Sequence, residues 1–351
     1  MNKYIFTLIF SSITLLAGFS VSAQQLMPEP NWSLAMAREA ASQVDTQAAL
    51  KPLFQLAREG NDEKLLQELA EIEHRSDWPV PAREHVLHAF ASSLGDLQAW
   101  TISQSVIDVL ASYQAKTLIP HHDHPEIGMP LFNIEAAALG SVNEWRRRTA
   151  AAGAKTLLDQ QAQVWLDAYL AGSPAQRRGY VDGLDSASKD QLLELGELSL
   201  KSISKDRSLT AVAAQSGLLL SDPDMFRRAI SANTGPGLAE ALRKASTTFS
   251  DSENLALLEQ LVEKAPLSNA ALAIALLAPA RLDQAKMAKL MFEVLDDRKL
   301  GSAAALVLSK SKHPEIHQRL ALLAAEKNTL ASKRAALAVS NLPAELAEDS
   351  Q

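Results

Sequence analysis

No cysteine occurs among the 351 residues. Disulfides, thiolate zinc sites, iron–sulfur clusters, cysteine nucleophiles and a lipid-modified cysteine are therefore excluded. Alternating runs of Val, Ile and Thr are almost missing, aromatic residues make up 5% of the chain, and glycines number 14, which leaves little from which to build sheets. A basic excess is missing too. The formal charge is −7, and removing Lys3 with a cleaved leader makes it −8. An acidic chain of this kind does not neutralise phosphates, so nucleic acid is excluded as a partner. There is no G-x-S-x-G elbow, phosphate loop, dinucleotide fingerprint or lysozyme-like segment. His313 and His317 lack the glutamate placement of H-E-x-x-H, and "HPEI" at His313 reads as a helix start with proline in its first turn.

Only one long apolar run is present, Ile5–Leu16, and it lies at the N-terminus. Lys3 precedes it, and the small-residue stretch "VSA" follows just before Gln24, with Val21 and Ala23 where a signal peptidase prefers small side chains. Residues 1–23 are expected to be a signal peptide cleaved near Ala23–Gln24. The run is shorter than the ~20 residues of a bilayer span, and no membrane span is expected after cleavage. Export without disulfides points to the periplasm of a bacterial envelope.

Apolar residues elsewhere recur with a period of 3.6, so the expected fold class is all-α. Ser250–Ala265, "SDSENLALLEQLVEKA", opens with a capping-box pair, Ser250 and Glu253, and places Leu255, Leu258, Leu261, Val262 and Ala265 on one face. Ser188 and Gln191 open another such helix. The C-terminal part repeats itself: "AALAIA" (Ala270–Ala275), "AALVLS" (Ala304–Ser309) and "AALAVS" (Ala335–Ser340) recur at spacings of 34 and 31, each followed within five residues by Pro279, Pro314 or Pro343. A weaker copy, "EALRKAS", begins at Glu240. Two helices and their turns fill such a period.

On these repeats the chain resembles the HEAT-like α-solenoids of the armadillo and HEAT superfamily over Ser208–Pro343, although the regular proline and arginine signatures of those units are absent. The resemblance implies a right-handed α-α superhelix of stacked helical hairpins that binds another envelope protein or serves as an assembly scaffold. It matches no catalytic motif. All five tryptophans precede residue 170 and six of the eight histidines lie between His74 and His124, which puts a soft boundary near Lys205–Arg207. The expected parts are an irregular helical region at 24–206, repeats at 207–345 and a disordered tail at 346–351. Arg146–Arg148 point 100° apart on a helix and are expected to form a solvated face.

Ala115–Pro130 is the longest stretch without helical periodicity, broken by Pro120, Pro125, Gly128 and Pro130, and Asn133 is placed to cap the next helix. It contains "IPHHDHPEIGMP". Two uses are open. As a protein-binding loop it would present Pro120, His122, His124, Glu126 and Pro130. As the metal site of a metal-binding protein or a metal-dependent hydrolase it would use His121, His122, Asp123 and His124, because neutral imidazole and carboxylate suit zinc or a similar divalent ion. In an extended segment His122 and His124 would share one side and His121 and Asp123 the other. His85 and His88, on the helix face opposite Val86, Leu87, Phe90 and Leu94, are expected to point away from the core and to be open as further ligands. No catalytic residue and no required cofactor is assigned.

Overall fold

The computed structural model describes residues 28–98, 100–232, 237–326 and 329–341. The expected signal peptide, the whole of the expected tail at 346–351 and Pro343 lie outside them. The chain is all-α: eighteen α-helices and one two-stranded sheet are present among the described residues. No helix among these residues is long and apolar enough to cross a membrane. Two compact units form, one from residues up to Leu94 with Gln98–Leu139, the other from Gly95–Leu97 with Gly140 onwards. The Lys205–Arg207 turn falls inside the second unit.

The first unit contains α1 (Leu34–Ala41), α2 (Thr46–Glu59), α3 (Asp62–His74), α4 (Val80–Ser93) and α5 (Gln104–Ala111), followed by strands β1 (Leu118–Pro120) and β2 (Gly128–Pro130). Local chemistry sets these helix starts. Asp45 accepts the Ala48 N–H at 3.1 Å and Asn61 accepts that of Lys64 at 3.3 Å, satisfying amides that have no partner within the helix. Helix α4 packs against α1, α2 and α3, and its Val86 and Phe90 are fully buried with Leu53 of α2 and Leu65 of α3. Helix α6 (Ile134–Leu158) follows, opened as expected by Asn133, which accepts the Ala136 N–H at 2.9 Å.

The second unit continues with α7 (Ala162–Ala171), α8 (Pro174–Gly183), α9 (Lys189–Ser202), α10 (Leu209–Leu219), α11 (Pro223–Ala232) and α12 (Leu238–Thr248). Then come α13 (Asp251–Lys264), α14 (Leu267–Leu277), α15 (Ala285–Val294), α16 (Gly301–Ser309), α17 (Pro314–Ala325) and α18 (Leu330–Ser340). Capping boxes open α9 at Ser188/Gln191 and α13 at Ser250/Glu253, as their sequences require. The packing is that of a helical repeat array. Helices α10, α12, α14, α16 and α18 lie side by side in one row, and α9, α11, α13 and α15 make a second row behind it. One continuous apolar core runs from Ala213 to Ala338.

All four repeated segments fall in the first row. The leading alanines of the three strong copies, Ala270, Ala304 and Ala335, are at most 1% exposed, so a methyl is all that fits where adjacent helices meet. Contact is close between α10 and α11 as well: a Cβ on Gly217 would lie 2.7 Å from the Phe226 backbone nitrogen. The weak copy is out of register, since Leu242 is buried where Leu306 and Leu337 of the strong copies are exposed.

Arg147 corrects one expectation in part. Arg147 donates to Asp182 of α8 at 2.5 Å and to Glu144 at 3.0 Å, and Arg148 donates to the Leu97 carbonyl at 2.9 Å. Arg147 ties α6 to α8 because its guanidinium reaches a partner on a neighbouring segment that periodicity does not reveal, while Arg146 and Arg148 are exposed.

Candidate functional site

The histidine segment is the tip of a β-hairpin. Strands β1 and β2 pair antiparallel with Leu118 opposite Pro130, Ile119 opposite Met129 and Pro120 opposite Gly128. The expected irregular loop therefore contains a short sheet. Its prolines do not forbid it, since Pro120 and Pro130 sit at strand ends where a missing N–H costs least.

Three groups hold the base of this hairpin. Glu84, fully buried on α4, accepts the N–H of Lys116 at 2.5 Å, the N–H of Thr117 at 3.0 Å and the Tyr113 hydroxyl at 3.3 Å. A carboxylate in a buried site is tolerable only when so satisfied. Burial pushes the Tyr113 phenol well above its ordinary pKa, and the nearby Glu84 charge adds to this. The second group is Asn31. Its side chain donates to the Lys116 carbonyl at 2.8 Å and accepts the Leu118 N–H at 2.9 Å, as a neighbouring strand would. The third is the Pro28 carbonyl, which accepts the Gly128 N–H at 2.6 Å. A Cβ on Gly128 would lie 2.8 Å from that oxygen, so only glycine admits the Pro28–Trp32 segment here.

The tip is exposed. His121 N–H donates to the Ile127 carbonyl and Ile127 N–H to the His124 carbonyl, both at 2.9 Å, so the chain turns back instead of running extended. The expected alternation of side chains is corrected accordingly: the His121 ring lies 4.7 Å from that of His122 and 5.8 Å from that of His124. His122 Nε2 is 2.9 Å from Asp123 Oδ2 and His124 Nδ1 is 3.5 Å from Glu126 Oε1, with the His122 side chain 80% exposed. Such solvated pairs contribute little to stability. Pro120, His122, His124, Glu126 and Pro130, the residues expected to meet a protein, are all exposed.

Of the metal set, His121, His122 and Asp123 come together, each offering one ligand atom with all three within 4.8 Å of one another. His124 stacks on His121 but is not part of that trio. His121 Nδ1 accepts the Asp123 N–H at 3.2 Å, which in the neutral ring leaves the proton on Nε2. Binding through either nitrogen then requires this contact to break or the tautomer to change. His85 and His88 are placed elsewhere and are half-buried, correcting the expectation that they project from the core. They flank Phe132, at 5.1 and 5.9 Å between ring centres, and burial lowers the His88 pKa, with His85 contributing. Phe132 is the large side chain that covers this face of α4, and it lies too far along the chain for helical periodicity to reveal it.

A second exposed feature belongs to the repeat row. Leu306 and Leu337 are the third residues of two strong copies, on the neighbouring helices α16 and α18, and are 53% and 60% exposed. Comparison with known proteins finds no family model, curated protein or solved structure that matches the chain.

Proposed function

We propose that this chain is an exported, periplasmic scaffold that binds another envelope protein through a HEAT-like, right-handed α-solenoid. The observation that carries this reading is the pair Leu306 and Leu337. A leucine repeated at the same motif position on adjacent helices, with most of its surface open, is an apolar row that folding has left unused. Repeat arrays present such rows to extended partners. The hairpin tip supplies a separate polar contact through Pro120, His122, His124, Glu126 and Pro130. Its base is fixed by Glu84 and Asn31, so little entropy is lost when the tip is bound.

A photo-crosslinking residue at Leu306 or Leu337 should trap one defined partner from envelope extracts, whereas the same residue at the exposed Lys333 should not. The double variant Leu306→Asp/Leu337→Asp should lose that partner while melting like the parent. Undiminished capture by the double variant rules the leucine row out. Deleting residues 121–127 tests the hairpin in the same assay.

The His121, His122 and Asp123 trio supports a second reading, a metal-handling role for a zinc-like ion. Protein purified without an affinity tag should then bind zinc stoichiometrically and lose it in His121→Ala. Absence of bound metal and of any thermal shift on adding zinc, copper, nickel or manganese ends that reading.

A further inference from the structure

A cavity of about 460 Å³ opens between α8, α10 and α12 in the second unit. It exists because the facing positions carry small side chains: Ala211 and Ala214 of α10 and Ala241 of α12 leave the space open, and Val181 and Leu238 complete an apolar wall. Its size is in the range of small-molecule sites, which combine apolar walls with a few polar groups.

The charges around it are unequal in what they do. Arg177 is consumed by the fold. It donates to the carbonyls of Gly172 and Leu170 and to Ser208 Oγ, and its guanidinium stacks over the Tyr169 ring at 5.7 Å. Asp182 is held by Arg147 at 2.5 Å. That leaves Arg178, Lys244 and Glu240 at the rim. Glu240 lies 3.3 Å from Arg178 and 3.8 Å from Lys244, so one carboxylate faces two cations. All three side chains are about half exposed, at 61%, 48% and 48%. The rim therefore retains one positive charge over an apolar chamber.

We infer that this cavity binds a small amphipathic carboxylate, its apolar body against Val181, Ala211, Ala214 and Leu238 and its head group between Arg178 and Lys244. The inference stands apart from the protein-binding proposal and uses none of the same residues.

Calorimetric titration with octanoate, 1-octanol and acetate tests it on the full chain. Octanoate should bind saturably at one site, acetate should give no saturable heat, and 1-octanol should bind roughly tenfold more weakly than octanoate, because it keeps the tail but loses the charge. In Arg178→Gln/Lys244→Gln the rim keeps only the Glu240 charge, so octanoate affinity should fall below that of 1-octanol, which should itself be unchanged. These exposed side chains add little to stability, so the fold survives their loss. Ala211→Leu, at a half-buried position, fills the chamber and should abolish both ligands. Absence of saturable octanoate binding overturns the inference. So does octanoate affinity that is unchanged in the double glutamine variant or in Ala211→Leu.

Discussion

Asn31 and Leu118 are joined by two hydrogen bonds: the Asn31 N–H donates to the Leu118 carbonyl at 3.0 Å, and the Leu118 N–H donates to Asn31 Oδ1 at 2.9 Å. Residues 87 positions apart thus complete the edge of the hairpin, and a segment near the chain start secures the base beneath the imidazole tip. Asn31→Ala removes the side-chain bonds to Leu118 and Lys116. The expected cost is about 1 kcal/mol, because both bonds are solvent-exposed. Hydrogen exchange should show faster exchange at the Leu118 amide, with helices α2 to α4 unaffected.

Glu84→Gln should be more damaging. One carboxylate oxygen becomes an NH₂ group, so the N–H of either Lys116 or Thr117 meets a donor in a buried site. Urea denaturation should show a loss of about 2–3 kcal/mol. A variant as stable as the parent would mean that the hairpin base relaxes freely.

Alkaline pH should destabilise the protein through two phenols. Burial raises the pKa values of both Tyr113 and Tyr169 above the ordinary 10.0. Above pH 10 the unfolded chain releases protons that the folded chain retains, so stability falls with rising pH. Absorbance titration should show these tyrosines ionising only as the helices unfold. Tyr113→Phe should weaken this dependence.

Neighbouring alanines in one motif should respond oppositely to enlargement. Ala335 is fully buried and Ala336 is exposed. Ala335→Leu should cost about 1–3 kcal/mol by overpacking the contact between α16 and α18, and Ala336→Leu should change stability by less than about 0.5 kcal/mol. Thermal unfolding of the pair checks this. Equal effects would mean that the array is not packed to native density.

The sequence by itself determined the helices, their starts and the recurrence of the repeat. Those features depend on bonds and burial patterns within a few residues, as at Ser250 with Glu253, Ser188 with Gln191 and Asn133 with Ala136. Tertiary structure decided that all repeated copies occupy one row, that Glu84 faces backbone amides 32 and 33 residues away, and that His85 and His88 lie against Phe132. It also decided that the histidine loop is a hairpin clamped by Asn31. The physical reason is range. A side chain's periodicity tells which face of its own helix is apolar, while the partner that covers or pairs with that side chain comes from a distant segment brought there only by folding.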